Sequence, residues 1–254
     1  MIDMIGFKRA FIGILALGLG LQAMGQNHQD LLDDSAKVVV DRYLQMLNIE
    51  GLPQDSLLVM ETVITFYGQK DTILMRRWYA VPEKFRVEVW NRGKLETGLV
   101  SNGKDRFRRY LPTYESWESI TLADFHERLL GYDFRGPLYN WHAKGATLKW
   151  NGTTTLKGEP LQVVKVDCPA MYERYYMFEP ESGLLTLIFE TDNVYQDYSP
   201  RREGHIDWKS IHEYQPLATG ILPSLESFMR GGMLTIMSST THFEKNNPEI
   251  FEHD

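Results

Sequence analysis

The chain has 254 residues, of which 43% are hydrophobic, 24% charged and 12% aromatic, a composition that excludes an intrinsically disordered protein. Its net charge of −7 is a poor match for nucleic acids and anionic lipid surfaces, which are bound through Lys and Arg, so no nucleic-acid partner is expected. Cys168 is the only cysteine, which excludes an intramolecular disulfide and favours a small buried side chain.

The first 25 residues are typical of a secretory signal peptide. Lys8 and Arg9 precede an apolar run over 10–21 that is short for a membrane span, and Ala23-Met24-Gly25 supplies a small-x-small cleavage site. An uncleaved membrane anchor is the alternative. Cleavage near Gly25 removes Lys8, Arg9 and Asp3, changes the net charge from −7 to −8, and leaves residues 26–254 as a single exported domain.

A helix and a β-hairpin are predicted next. Asp34 or Ser35 can cap the first turn of the helix, and Gly51 and Pro53 end it. Its apolar positions recur at helical spacing: Ala36, Val39, Val40, Tyr43, Leu44 and Leu47. Two β-rich runs at 57–66 and 72–79 follow, joined by a turn at 68–71. The first run is apolar on both faces, so it is expected inside a sheet and not at an edge.

The clearest strand pattern begins at Phe85. Phe85, Val87 and Val89 alternate with Arg86, Glu88 and Trp90, the period of two of a strand with one buried and one wetter face. A turn at 91–93 and a two-residue hairpin turn at Asn102-Gly103 separate this run from two more. Three strands are therefore predicted to meander.

Two short helices are predicted after the strand pattern stops at Pro112. Thr121 and Asp124 form a capping box for the first, Gly131 ends it, and Pro137 suits the first position of the second. Their apolar side chains are Leu122, Phe125, Leu129 and Leu130 in the first helix, and Leu138, Tyr139 and Trp141 in the second. The pattern leaves open whether these helices form a movable cover or a permanent part of the core.

The remaining chain returns to strands. They are predicted over 161–166, 172–178, 184–190, 206–214, 221–229 and 233–242. Hairpin turns are predicted at Asn151-Gly152 and Gly158-Glu159, and a long polar loop is predicted at 192–204.

The stretch from Arg76 to Tyr110 resembles the signature of periplasmic lipoprotein carriers of the LolA type. Trp78 stands four residues before Pro82, Phe85 stands three residues after it, and the hairpin Leu99-Val100-Ser101-Asn102-Gly103-Lys104 leads to Phe107. The resemblance implies an α+β fold: a curved antiparallel β half-barrel, as in LolA and LppX, with an N-terminal helix and a helical lid inserted between strands. Its concave apolar face would receive acyl chains.

The sequence departs from the family at the position before the proline. The family often has an arginine there, thought to help hold the lid closed, and this chain has Val81. Arg76, Arg77 or Arg86 could serve as a latch instead. The alternative is that all three point outward and are solvated.

No catalytic or metal-binding pattern stands out. The seven histidines never fall at spacings that put two ligands on one metal, and Glu115, Glu118, Asp124 and Glu127 are more typical of a wet acidic patch than of an acid–base pair. We therefore expect no enzyme, no metal and no nucleotide or other cofactor.

A binding function is better supported, because 12 Phe, 13 Tyr, six Trp and 11 Met suit a cavity for variable apolar shapes. The resemblance implies a periplasmic carrier that binds the acyl chains of lipoproteins for delivery to the outer membrane, with transient donor and acceptor proteins in the envelope. The exported, acidic, single-domain character makes a monomer the simpler expectation. Alternatives are a lipid or glycolipid carrier and an envelope-stress regulator of the same fold. The predicted lining is Trp78, Phe85, Val87, Val89, Leu99 and Phe107, and the predicted cover is Leu122, Phe125, Leu129, Leu138 and Trp141.

Overall fold

The structure is a computed structural model that describes residues 26–53, 55–81, 83–129, 132–136, 138–167, 174–190, 207–217, 219–230, 233–245 and 247–252. The predicted signal peptide, Cys168, the predicted loop at 192–204, and Leu130, Gly131 and Pro137 lie outside these ranges. No helix among the described residues has the length and apolar character needed to cross a bilayer.

The described residues form an open antiparallel sheet with few helices, which confirms the predicted fold class. The helices are α1 (Gln26–Leu47) and α2 (Leu122–Leu129), with short 3-10 helices at Ile49–Gly51 and Pro248–Phe251. The strands are β1 (Ser56–Phe66), β2 (Thr72–Ala80), β3 (Lys84–Asn91), β4 (Lys94–Ser101), β5 (Phe107–Leu111), β6 (Ser116–Ser119), β7 (Thr147–Leu156), β8 (Glu159–Asp167), β9 (Arg174–Phe178), β10 (Leu185–Glu190), β11 (Asp207–Pro216), β12 (Ile221–Arg230) and β13 (Met233–Lys245).

The chain divides into two compact units, and the first contains β7–β10 and α1 up to Tyr43. Its strands run in the order β10-β9-β8-β7. The predicted apolar stripe of α1 is buried except at Leu44, which is partly buried, and the Tyr43 ring packs edge-on against Phe178 with the ring centres 5.7 Å apart. Arg42 Nη1 donates to the carbonyl oxygen of Pro180 over 2.8 Å, which ties the helix to the β9–β10 turn.

The second unit, Leu44–Trp141 and Pro200–Asp254, contains nine strands in the order β6-β5-β4-β3-β2-β1-β13-β12-β11. As predicted, β1 is an interior strand: it pairs with β2 on one side and with β13 along its whole length on the other. The predicted meander of β3, β4 and β5 is also confirmed. Arg92 and Gly93, both with positive φ, form the tight turn between β3 and β4.

Side chains alternate between the two faces of this nine-stranded unit. One face, here called the Phe85 face, contains Phe85 with Tyr79 opposite it on β2, and Val87 with Arg77 opposite it. The other, here called the Trp78 face, contains Trp78 with Arg86 opposite it.

The prediction that the Trp78 face would be the wetter one is wrong. The C-terminal 3-10 helix places Phe251 on a cluster made of Leu57, Val59, Ala80 and Val100, with Trp78, Trp117 and Ile250 packed around it. Arg86 and Glu88 are consequently buried on this face, where they form an ion pair. Opposite charges that neutralise each other allow polar residues to occupy a covered face.

Several local predictions also fail for identifiable reasons. Helix α1 begins at Gln26, so Asp34 and Ser35 lie inside the helix and do not cap it. Residues 26–33 contain no Gly or Pro that would stop the helix from forming before Asp34. The predicted second short helix is absent, because 138–145 forms turns with positive φ at Asn140 and Gly145. Strand β6 was not predicted.

Two predicted hairpin turns also differ. Asn151-Gly152 lies inside β7, where the pairing with β8 shifts register between Trp150 and Thr153. The turn at Asn102-Gly103 is a five-residue connection, 102–106, because Asn102 Oδ1 accepts hydrogen bonds from the backbone N–H groups of 104, 105 and 106 at 3.0, 3.2 and 3.1 Å.

Gly220 allows close packing of the chain before β12 against the end of α1. A Cβ at this position would lie 2.3 Å from the carbonyl oxygen of Leu47 and 2.6 Å from that of Met46. Gly220→Ala is therefore expected to lower the free energy of unfolding by about 1–3 kcal/mol, since backbone would have to shift. Urea unfolding measures this.

Gly68→Asn is the matched control. Gly68 has a φ of +81° with no atom within 4 Å of an added Cβ, and Asn tolerates this backbone conformation. A loss of at most about 1 kcal/mol is expected there, from the positive φ alone. Equal losses in the two variants would show that the contact at Gly220 is not what requires glycine.

Candidate functional site

The Phe85 face presents a nearly continuous apolar surface across β1–β5. One row contains Leu58, Tyr79, Phe85, Ser101 and Phe107, and the next contains Met60, Arg77, Val87, Leu99 and Arg109. The side chains of Phe85, Val87 and Leu99 are at most 1% exposed. Apolar side chains from adjacent strands therefore form the centre of this face, where Arg77 interrupts them, and Arg109 lies at the β5 end of the same row.

The described residues between 122 and 141 (122–129, 132–136 and 138–141), here called the covering segment, lie over this face through aromatic contacts. Phe125 of α2 packs on Phe107 with ring centres 5.3 Å apart. Phe134 stacks on Phe85 at 6.3 Å, with 18° between the ring planes, and meets Tyr79 edge-on at 5.8 Å. The contact between segment and sheet is thus made largely by side chains without charge.

Arg135 is the buried arginine of the covering segment. Its guanidinium binds both carboxylate oxygens of Asp133, with distances of 2.8 and 2.9 Å, and lies over the rings of Tyr79 and Tyr139 at 5.1 and 4.4 Å. Burial lowers the pKa of Arg135, but the charge and hydrogen bonds of Asp133 outweigh burial and raise it overall. Arg135 is therefore a permanent cation whose counterion belongs to the same segment.

The start of α2 is fixed as predicted. The backbone N–H of Asp124 donates to Thr121 Oγ1 over 3.1 Å, and that hydroxyl donates to Asp124 Oδ2 over 2.6 Å. The hydrogen bond from Thr121 lowers the pKa of Asp124. This cap sets the direction of the short helix and so places Phe125 over Phe107.

The structure brings most of the predicted lining together. Phe85, Val87, Val89, Leu99 and Phe107 lie on the Phe85 face, whereas Trp78 lies on the opposite face and packs near Phe251. In the predicted cover, Phe125 and Leu138 are buried, Leu129 and Trp141 are partly buried, and Leu122 is half exposed.

Sequence reasoning missed Tyr79, Phe134 and Arg135. Tyr79 and Phe85 stand three residues on either side of Pro82, so a hairpin centred there would have paired them, as the structure does. One residue further from Pro82, the same hairpin would pair Trp78 with Arg86, which places Trp78 on the opposite face of the sheet. Phe134 and Arg135 lie in a turn region without periodicity, and no sequence signal distinguishes them.

The three arginines proposed as latches occupy different environments. Arg76 is partly exposed and pairs with Glu61 at 2.6 Å, on the same face as Trp78. The alternative of solvated arginines is wrong for Arg77 and Arg86, which are each 8% exposed. Of the three, Arg77 alone lies on the Phe85 face.

Arg77 has polar neighbours that reach in from β1 and β13. Its Nη2 donates to Thr62 Oγ1 over 2.6 Å, and the hydroxyls of Thr62 and Ser239 lie 2.9 Å apart. Burial lowers the pKa of Arg77 to about 10, while the charges of Glu226 and Asp133 act to raise it. At neutral pH this side chain is therefore a cation within an apolar face.

The described residues do not bring together any group of three or more His, Cys, Asp or Glu side chains that could hold a metal ion. The arrangement is instead that of a covered apolar surface with a few buried charges.

Comparisons with known proteins identify the fold. No protein-family model and no curated protein matches the chain. Among solved structures, a LolA superfamily protein from Nitrosomonas europaea superposes with a TM-score of 0.56 and 11% identity, covering 85% of this chain and 96% of its own. A DUF1329 family protein from Desulfovibrio piger gives a TM-score of 0.53 and 12% identity, covering 86% of this chain and 97% of its own.

A third structure has the same fold. It is a domain from Vibrio parahaemolyticus named for outer membrane lipoprotein sorting, with a TM-score of 0.53 and 10% identity, covering 88% of this chain and 99% of its own. The superpositions extend over nearly the whole of each structure. Because the identities are only 10–12%, they show a common fold and nothing more. The chain therefore has the fold of the LolA superfamily, as the resemblance of residues 76–110 implied.

Proposed function

We propose that this protein is a periplasmic carrier that binds acyl chains, in the first instance those of lipoproteins bound for the outer membrane, between the Phe85 face and the covering segment. The predicted signal peptide supports export, and the similarity in fold to a lipoprotein-sorting domain supports the class of cargo. No catalytic step is part of the proposal. Transient donor and acceptor proteins in the envelope would load and unload the carrier.

The observation that carries the proposal is the way in which the covering segment is attached. Its one buried ion pair, among the described residues, joins Asp133 to Arg135 inside the segment, so lifting the segment leaves that pair intact. The contacts that break are Phe134 on Phe85, Phe125 on Phe107 and Arg135 on Tyr79. An acyl chain can replace the two ring–ring contacts, because they require no specific hydrogen bonds; the contact of the Arg135 cation with Tyr79 is the polar cost of opening.

The energy balance is favourable for a long chain. Each methylene transferred from water contributes about 0.8 kcal/mol, so a dozen contribute about 10 kcal/mol before the cost of moving the segment. Release would follow when an acceptor protein offers a competing apolar site, without hydrolysis of a nucleotide.

Native mass spectrometry of the full chain purified from its own envelope tests the function. A bound triacylated peptide would support the lipoprotein carrier. A protein that carries no acyl ligand under conditions in which a known carrier retains its own would contradict the proposal, and a co-purifying protein in that case would favour the regulator.

A second candidate, a carrier of free lipids, is favoured by one specific observation. Arg77 places a buried cation in the middle of the Phe85 face. The acyl groups of a lipid-modified cysteine have no negative charge, whereas many free lipids do. Bound free lipid in the mass spectrum would select this candidate.

Asp133→Ala tests whether the covering segment controls access to the face. The substitution leaves the Arg135 guanidinium buried without its carboxylate, which destabilises the arrangement in which the covering segment lies on the Phe85 face. Stopped-flow fluorescence should show a bound fluorescent fatty acid exchanging about tenfold faster or more, since about 1.4 kcal/mol corresponds to a factor of ten.

The control is Asp71→Ala, which breaks the exposed ion pair between Asp71, in the β1–β2 turn, and Arg92, in the β3–β4 turn. Its exchange rate should match that of the unmodified protein. If Asp133→Ala also leaves the rate unchanged, the segment is a permanent part of the core and does not act as a lid.

A further inference from the structure

We propose that Arg77 binds the anionic head group, a carboxylate or a phosphate, of an acyl ligand whose chain lies along the Phe85 face. This inference rests on the carrier function in the form of its second candidate, the carrier of free lipids, and names the class of ligand. It is drawn from the position of Arg77, its hydrogen bonds and the balance of charge around it.

The first argument is position. Across the sheet, Arg77 lies between Met60 on β1 and Val87 on β3; along β2, its neighbours on the same face are Met75 and Tyr79. These four side chains are all at least nine-tenths buried, and Arg77 itself is 8% exposed. The guanidinium is therefore surrounded by the surface on which an acyl chain would rest.

The second argument is hydrogen bonding. A guanidinium has five N–H donors, and among the described residues Arg77 makes one side-chain hydrogen bond, to Thr62. Its Nε is buried without a hydrogen-bond partner. Buried polar groups are normally satisfied, so unused donors at this depth suit an acceptor that the protein does not itself supply.

The third argument is charge. The two carboxylates whose charges act on Arg77 each have another cation: Lys209 Nζ lies 2.6 Å from Glu226, and Arg135 forms its bidentate pair with Asp133. Among the described residues, three cations thus share two carboxylates in these surroundings. Within that part of the chain one positive charge has no counterion of its own, and a ligand anion would supply it.

The planar fork of an arginine fits both head groups. Carboxylate and phosphate oxygens accept two parallel N–H bonds from a guanidinium, and such charge-assisted pairs are strongest where water is excluded. A neutral head group, such as an alcohol or an ester, offers no compensating charge. The site should therefore discriminate between ligands by head group while tolerating variation in the chain.

Competition binding to the purified full chain tests the inference, with a fluorescent fatty acid as the reporter. The probes share one chain and differ in the head: hexadecanoate, hexadecyl phosphate, hexadecanol and methyl hexadecanoate. We expect the two anions to bind about thirtyfold more tightly or better than the two neutral probes, the effect of a buried charge pair. The ratio between the two anions indicates which head group the site prefers.

Arg77→Met should bring the ratio of the Kd of the neutral probes to that of the anions close to one, while the neutral probes keep their affinity. Arg76→Met is the control, since Arg76 is adjacent in sequence, partly exposed and on the other face. It should keep the preference. Should Arg77→Met fail to fold, Arg77→Lys retains a point charge without the fork and should weaken the preference without abolishing it.

The outcomes are distinct. Equal affinity for charged and neutral probes in the unmodified protein would overturn the head-group site and leave the carrier function standing. A preference that survives in Arg77→Met would place the anion elsewhere and overturn it as well. Failure of every probe to bind would contradict both the inference and the proposed function.

Discussion

Exchanging Arg86 for methionine should lower the free energy of unfolding by about 3–5 kcal/mol, because it leaves the Glu88 carboxylate buried without its cation. Both side chains are 9% exposed. The guanidinium also donates to the carbonyl oxygen of Ile250 over 2.7 Å and lies over the rings of Trp78 and Trp117. Urea unfolding followed by circular dichroism measures the loss.

Arg76→Met provides the comparison, since it removes an arginine–glutamate pair that is 44% and 36% exposed. A loss of about 0–1 kcal/mol is expected there. The double exchange Arg86→Met/Glu88→Leu should recover most of the stability, because no charge is then left buried. If Arg86→Met were no worse than Arg76→Met, the C-terminal 3-10 helix could not be covering the Trp78 face in solution.

Exchanging Phe85 for alanine should lower the free energy of unfolding by about 3–5 kcal/mol, the usual cost of removing a buried phenylalanine. Phe85 is 1% exposed and stacks on Phe134 of the covering segment. The loss should come with weaker attachment of that segment, seen as faster amide hydrogen exchange over 122–136. Urea unfolding and hydrogen-exchange mass spectrometry measure the two effects.

Tyr67→Ala is the control for Phe85→Ala. Tyr67 is also aromatic and lies in the same unit, but it is 79% exposed, so the change should stay within about 0.5 kcal/mol. A Phe85→Ala protein of normal stability, with unchanged exchange over the covering segment, would mean that Phe85 does not hold the segment on the sheet.

Much of the sheet could be predicted because the determining signals are local. The alternation at 85–89 and the turn at Arg92-Gly93 define the meander, and the two-sided apolar pattern of β1 places it inside the sheet. The predicted ends of strands were less accurate where the residue preferences of a turn compete with those of a strand. Asn151-Gly152 satisfies the residue preferences of a turn, yet here the pair accommodates a register shift inside a strand.

The site was only partly predictable, because the covering contacts depend on tertiary packing. The alternation of side chains along β3, β4 and β5 brings five of the predicted lining residues to one face. The turns that carry Phe134 and Arg135 have no repeating pattern, and Gly136 and Asn140 adopt positive φ. Burial of Arg86 and Glu88 depends on Phe251, more than 160 residues away in sequence, and no local window contains that information.

The most direct test of the central claim is to find where a bound acyl chain lies. Two hexadecanoate probes, one with a diazirine near the carboxylate and one with a diazirine near the methyl end, can be photo-crosslinked to the full chain, and the modified residues can be identified by tandem mass spectrometry. We predict labels on Phe85-face residues such as Met60, Val87 and Leu99, and on the covering segment at Phe125 or Phe134. Labels confined to the Trp78 face, at Trp78, Trp117 or Phe251, would contradict this account.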